Sequence, residues 1–198
     1  MSLLIALALS KEALIAADRR VIIFHGESSQ LEEELYSGKI RNDDELKSRA
    51  KELGASLCVS DGKEKVHKRG PILMGEVQEI SKDQEKGRRI YLAPGAYVMA
   101  DFNGSEAKVI GKGGKACLVI GNRFTQLLAK ERVLKAESKL NEHVLRSIFE
   151  YVAGRTASIS RNCTVLYSDA CSPITVDILL DTLREDCQKS GWRLCDQH

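Results

Sequence analysis

Ser2-Leu3-Leu4-Ile5-Ala6-Leu7-Ala8-Leu9 is followed, after Ser10-Lys11-Glu12, by Ala13-Leu14-Ile15-Ala16-Ala17-Asp18-Arg19-Arg20-Val21-Ile22-Ile23-Phe24. Two apolar runs of strand length joined by a polar turn predict paired, largely buried strands. The second run is broken by Asp18-Arg19-Arg20. Charge inside an otherwise buried strand is costly unless it is paired. The triplet therefore marks either the end of a strand or a site. A local Asp18–Arg19 ion pair is the plainer reading, worth little if exposed.

Ser2 lies sixteen residues before Asp18 and directly after Met1. A small residue at this position is what methionine-removing enzymes tolerate. Many chains begin Met-Ser with no catalytic meaning. If Met1 leaves, however, Ser2 carries both a hydroxyl and a free α-amine, whose pKa of roughly 7.7–8 makes it a usable base near neutrality. Nucleophile and base then reside on one residue, as in catalysts activated by an N-terminal amine.

The remaining composition narrows the function classes. A chain of 198 residues is one domain, or one domain with a large insertion, and buries a sizeable core. A formal net charge of +2 with 29% charged residues describes an ordinary surface, and 5% aromatic residues leave little for base stacking, so no nucleic-acid partner is expected. The first apolar run is too short to span a bilayer and lacks the basic start and cleavage site of a signal peptide. It reads as a buried strand of a cytoplasmic protein without direct membrane insertion.

Cys58, Cys117, Cys163, Cys171, Cys187 and Cys195 form no Cys-x-x-Cys pair, and His25, His67, His143 and His198 are scattered. No metal and no cofactor are expected. Gly111-Lys112-Gly113-Gly114-Lys115 lacks the Gly-Lys-Ser/Thr ending of a phosphate loop and reads as a hairpin turn. Lys63, Lys65, His67, Lys68 and Arg69 make a basic stretch, either a solvated loop or a surface for an acidic partner.

Between these features the pattern alternates in blocks. Leu31, Leu35 and Ile40, then Leu46, Ala50 and Leu53, predict two short amphipathic helices, the second capped at Asn42 or Asp43 and stopped at Gly54. Residues 55–60 read as a strand and 61–69 as a charged loop. Residues 71–80 and 89–92 pair around Lys82–Gly87, and Asn103-Gly104 signals a hairpin between 96–102 and 107–110. Residues 116–120 form an apolar strand. A helix follows with Phe124, Leu127, Leu128 and Leu134 on its apolar face, then a second over about 138–153. A strand at 164–167, a helix at 174–189 and a short strand at 192–194 complete the chain. Strands, then helices, then a strand and a helix predict an α+β protein with helices packed on sheets in layers.

The Ala13–Arg20 stretch resembles the second strand of proteasome β-subunits, whose nucleophile precedes the Asp by the same spacing. Lys108-Val109-Ile110 and Cys117-Leu118-Val119-Ile120-Gly121 are similar to that family's lysine strand and the glycine-ended strand after it. The resemblance covers about residues 2–24 and 105–155. The segment before Lys108 is longer than in proteasomes and the part after the second helix is shorter. This combination resembles the connectases, proteasome homologues of methanogenic archaea that cut and rejoin polypeptides.

The resemblance implies an N-terminal-nucleophile hydrolase-like helix-sheet-sheet-helix fold over 1–198, with 25–104 as an insertion that binds substrate. It implies Ser2 as nucleophile, Lys108 as the ammonium beside it, Asp18 holding Lys108, and the Gly121 N–H as oxyanion donor. It implies ligation through an ester on Ser2, a substrate with a Lys-Asp-Pro-Gly-Ala type core, and the A component of the methanogen methyltransferase complex as the partner. An amidohydrolase or protease, or a non-catalytic binding module, are the other functions such a fold would carry.

Overall fold

The computed structural model describes residues 2–80, 85–136, 140–169 and 174–195. Met1, Cys171, His198, part of the turn expected at Lys82–Gly87 and the start expected for the second central helix lie outside them. In chain order the elements are β1 (Leu4–Ala8), β2 (Ala13–Asp18), β3 (Val21–His25), α1 (Ser29–Tyr36), α2 (Asp43–Glu52), β4 (Ser56–Ser60), β5 (Val66–Arg69), β6 (Ile72–Ile80), β7 (Glu85–Ala93), β8 (Ala96–Asn103), β9 (Glu106–Gly113), β10 (Ala116–Ile120), α3 (Arg123–Ala136), α4 (Glu142–Ala153), β11 (Cys163–Ser168), α5 (Val176–Ser190) and β12 (Arg193–Cys195).

The two apolar runs at the chain start are the central strands of a four-stranded sheet ordered β10-β1-β2-β11. Every residue of β1 and β2 is buried, as continuous apolar runs require when both faces of a strand are covered. The Leu9 N–H donates to the Glu12 carbonyl at 2.9 Å and closes the turn between them. Asp18 ends β2, so the charged triplet stands at a strand end and β3 begins anew at Val21.

The chain divides into two compact units, one made of Met1–Leu4, Ala17–Lys65 and Val119–Val165, the other of Ile5–Ala16, Val66–Leu118 and Leu166–His198. In the first, β3 and β4 form an antiparallel ribbon from Val21↔Ser60 to His25↔Ser56. Its Ile22, Phe24 and Leu57 pack with Leu31 and Leu35 of α1, Leu46 and Ala50 of α2, and Ala157. Asn42 caps α2 as expected: its side-chain oxygen accepts the Glu45 N–H at 2.9 Å, and Glu45 reaches back to accept the Arg41 N–H at 2.8 Å. Leu145, Ile148, Phe149 and Val152 form the buried stripe of α4, with Asn141 as its cap. On α3 the buried residues are Thr125 and Ala129. Leu127 and Leu134, expected on the inner face, are 61% and 76% exposed.

In the second unit a six-stranded sheet runs β12-β9-β8-β7-β6-β5. Strands β5 to β9 are an antiparallel meander, and β12 adds in parallel to β9. Strand β8 alternates buried and half-buried residues, the period of a sheet with one covered face. Leu179, Leu183 and Cys187 of α5 cover that face with Tyr91, Val98 and Phe102. The hairpin at Asn103-Gly104 forms as its dipeptide predicts.

Three expectations change here. Residues 66–69 pair with β6 as a strand instead of continuing the charged loop. The Gly114-Lys115 turn is no hairpin, because β9 and β10 belong to different sheets. Residues 25–104 are shared between the two units, with 25–65 in the same unit as Ser2.

Gly38 ends α1 at φ 82°, where its N–H donates to the Leu35 carbonyl. A β-carbon there would lie 2.5 Å from the Phe124 ring. Gly38→Ala is expected to cost about 1–2 kcal/mol from the left-handed backbone alone, plus whatever displacement of Phe124 costs. Urea unfolding should show a lower midpoint with an unchanged slope.

Candidate active site

The triplet that interrupts the sequence pattern meets a second charged segment in the fold. Asp18 pairs with Lys65, Arg19 with Glu64 at 2.9 Å, and Arg20 with Asp61 at 2.7 Å. The Lys63 N–H also donates to the Arg19 carbonyl at 3.2 Å. Arg20 is held from two further sides, by Asp43 at 2.5 Å and by the Ala157 carbonyl at 2.8 Å. These contacts hold the guanidinium well above its usual range, the Asp61 hydrogen bond contributing most against the cost of burial. The same bond lowers the Asp61 carboxyl.

Asp18 is wholly buried and the Lys65 side chain is 3% exposed. The Lys65 ammonium donates to both Asp18 oxygens at 3.0 Å and to the Arg20 carbonyl at 2.6 Å. Asp18 Oδ1 also accepts the Leu3 N–H, and Oδ2 the Arg20 N–H, each at 2.8 Å. A buried carboxylate with this many charge-assisted bonds is fully satisfied. Burial lowers the Lys65 pKa, and the attraction of Asp18 opposes that shift without cancelling it.

The lysine at Asp18 is therefore Lys65. Lys108 lies on β9 in the other unit, exposed, its Cα opposite Asp101 and Cys195. The expectation that Asp18 holds Lys108 is corrected: Asp18 has its cation already, and an exposed strand lysine is solvated. A charge-complementary order in the two segments, Asp-Arg-Arg against Asp-Gly-Lys-Glu-Lys, was the signal available in the sequence. It was hidden because Lys65 sits inside a run that reads as a solvated basic loop.

Ser2 and Gly121 do come together. Ser2 is 5% exposed. A β-carbon on Gly121 would lie 2.8 Å from the Ser2 carbonyl oxygen, 3.6 Å from Leu3 Cα and 2.7 Å from Thr125 Oγ1. Only glycine permits this approach of two backbones. Asn122 caps the helix after it, its side-chain oxygen accepting the Thr125 N–H at 2.9 Å. The buried Ser158 hydroxyl accepts from Asn122 Nδ2 at 3.3 Å. The buried Ser160 hydroxyl accepts the Arg19 N–H at 2.9 Å and donates to the Asn162 carbonyl at 2.7 Å. Residues 156–160 thus brace both Arg19 and the Gly121 turn, a role that no spacing in the sequence announced. Met1, whose removal would free the Ser2 amine, lies outside the described residues. Among those described, no group of His, Cys, Asp and Glu is placed to hold a metal ion.

The family model described as Connectase MJ0548-like, N-terminal domain, matches residues 1–188. The chain belongs to the connectase family. This member of the family is also similar in structure to HslV of Trypanosoma brucei, a proteasome-like N-terminal-nucleophile hydrolase, at a TM-score of 0.51 and 8% identity, covering 85% of this chain and 99% of that one. At that identity the likeness establishes the fold, which is the expected α+β fold of proteasome type. A search of curated proteins gave no match. No helix among the described residues is long and apolar enough to cross a membrane.

Removing one half of the buried pair should unbalance the connectase-family site unequally. Asp18→Ala strands the Lys65 ammonium and two backbone N–H groups, and is expected to cost about 3–5 kcal/mol. Lys65→Met should cost less, because Asp18 keeps the Leu3 and Arg20 donors. Denaturant unfolding of both variants measures the difference. Asp61 has a lowered folded pKa, so its pairing stabilises the fold above its unfolded pKa of about 3.9 and is lost as pH falls through the folded value. Asp61→Asn should lower stability near neutrality and flatten its decline below about pH 5, read from unfolding midpoints across the acid range.

Proposed function

We propose that this chain is a protein ligase, a transpeptidase that forms an ester on Ser2 and passes the acyl group to an incoming amine. The observation that carries this reading is the Asp18 carboxylate. In one buried site it binds the Lys65 ammonium and the N–H of Leu3, the residue bonded to Ser2. Membership of the connectase family and the N-terminal-nucleophile fold support a chemistry of that superfamily.

In this reading Met1 is removed and the free Ser2 α-amine takes the proton from Ser2 Oγ, directly or through one water, as Oγ attacks the substrate carbonyl. The positive charge of Lys65 stabilises the developing alkoxide and oxyanion, and it lowers the proton affinity of the neighbouring α-amine. Asp18 keeps Lys65 in place. The Gly121 N–H, held by the Asn122 cap and by close contact with the Ser2 carbonyl, donates to the oxyanion. Collapse of the tetrahedral intermediate expels the leaving amine, which takes the proton from the α-amine, and leaves the ester. A second amine then attacks that ester and restores a peptide bond.

Ligation instead of hydrolysis requires the ester to meet an amine before water, which exclusion of solvent and a positioned nucleophile favour. The substrate we propose carries a Lys-Asp-Pro-Gly-Ala type core, with the A component of the methanogen methyltransferase complex as the natural partner.

The test is mass spectrometry of the protein incubated with a peptide carrying that core, with and without a second peptide that begins with proline. The expected outcome is a chain lacking Met1, an acyl adduct on it, and exchange of fragments between the peptides. Ser2→Ala should abolish adduct and exchange while leaving the fold intact. Cleavage without exchange would make the protein a hydrolase on this fold. A chain that keeps Met1 and forms no adduct would make it a binding module.

A further inference from the structure

In the unit that contains Ser2, a groove of about 600 Å³ runs between α2 and β4. Its floor is apolar, with Leu46 and Ala50 on the helix side and Leu57 and Val59 on the strand side. Its two ends are fixed by bonds. At one, the Ala55 N–H donates to the Ala50 carbonyl at 2.9 Å, joining the end of α2 to the start of β4. At the other, Arg20 bridges Asp43, at the start of α2, and Asp61, just past β4. Helix and strand therefore run antiparallel along the groove.

The charges are ordered along the same line. Asp43, Lys47 and Lys51 stand at i, i+4 and i+8, one stripe of the helix about 12 Å long. The Arg20 end carries one cation against two carboxylates, and both carboxylates remain partly open, with side chains 51% and 39% exposed. The other end carries Lys47 and Lys51, which have no ion pair or hydrogen bond among the described residues. The groove is anionic at one end and cationic at the other.

Strand β4 supplies what an extended guest needs. It has one strand partner, β3, in a two-stranded sheet. Four of its five residues are exposed. Outside that ladder, none of the described backbone hydrogen bonds falls on Ser56–Ser60. A free strand edge beside an apolar helix face is the geometry by which extended peptides are captured, main chain on the edge and alternate side chains in the groove.

We propose that the α2–β4 groove is a docking site for an extended polypeptide segment of the substrate, added antiparallel to β4. An antiparallel segment runs from the Asp43/Asp61 end toward Lys51. It therefore presents a basic residue first, apolar residues at alternate positions toward Leu46 and Ala50, and acidic residues last. Four to five residues fill the length, at about 3.3 Å per residue. The site adjoins the catalytic centre by a short chain of bonds: Arg20 lines the groove, its N–H binds Asp18, and Asp18 binds the Leu3 N–H. As a substrate site the groove extends the ligase reading, but the docking itself needs no nucleophile.

The test is equilibrium binding to the full chain carrying Ser2→Ala, followed by backbone amide NMR. The probe is the blocked peptide acetyl-Lys-Val-Thr-Val-Glu-Glu-amide, and its charge-reversed partner is acetyl-Glu-Val-Thr-Val-Lys-Lys-amide. The expected result is saturable binding of the first, shifts concentrated on residues 43–60, and at least tenfold weaker binding of the second. Lys47→Glu with Lys51→Glu should reverse the preference, and both lysines are surface positions whose exchange leaves the core untouched. Absence of saturable binding, shifts elsewhere, or equal binding of the two peptides overturns the proposal. So does a concentration-dependent dimer in sedimentation that protects the β4 amides, which would make a second copy the occupant. Binding as expected from a protein whose unmodified Ser2 forms no ester would leave the groove standing and remove the ligase reading alone.

Discussion

A buried carboxylate must find donors for both of its oxygens, and Asp18 finds them in three separate parts of the chain. The Leu3 N–H comes from the chain start, the Arg20 N–H from the turn beyond β2, and the Lys65 ammonium from the segment after β4. Each of these groups would be left unsatisfied in the interior if the carboxylate were absent, and the carboxylate would be left unsatisfied without them. Interior charge of this kind contributes little net stability compared with apolar packing, but breaking it is expensive. Its effect is positional. It ties the residue next to Ser2, the end of β2 and Lys65 to a single point.

The neighbouring pairs extend that constraint into a register. Asp18 with Lys65, Arg19 with Glu64 and Arg20 with Asp61 oppose charge to charge along two segments. Sliding one segment by a residue sets Asp18 against Glu64, in a place where water cannot relieve the repulsion. The Ser160 hydroxyl on the Arg19 N–H and the Ala157 carbonyl on Arg20 add a third wall. Gly121 fits against Ser2 on the other side because it has no side chain to keep the strands apart. Nucleophile, cation and oxyanion donor thus depend on backbone contacts more than on side-chain reach, which suits a site that must hold its geometry through two acyl-transfer steps.

Arg20 connects this interior to the surface groove. Its backbone serves Asp18 while its guanidinium joins the first turn of α2 to the segment after β4. Ser2, Asp18, Lys65, Gly121 and the groove all belong to one compact unit. The meander of β5 to β9, with α5 on its face, is a second unit with its own core. The basic stretch that reads as one surface in the sequence is divided between them: Lys65 is buried on Asp18, whereas Lys68 donates to the Tyr167 carbonyl from β5.

Local pattern was enough for much of the architecture. The apolar runs of β1 and β2, the Asn42 cap of α2, the Asn103-Gly104 hairpin and the α4 stripe follow from residue order, because the forces that set them act within a few positions. Ser2, Asp18 and Gly121 could be picked out through spacing along strands that are themselves locally determined. The lysine could not. Lys65 and Lys108 each precede or enter a strand, and nothing local separates a lysine that will be buried on a carboxylate forty-seven positions away from one that will face water. The exposed Leu127 and Leu134 and the brace at 156–160 were illegible for the same reason. Burial and ion pairing at long range are decided by which surfaces meet, and only the tertiary fold holds that information.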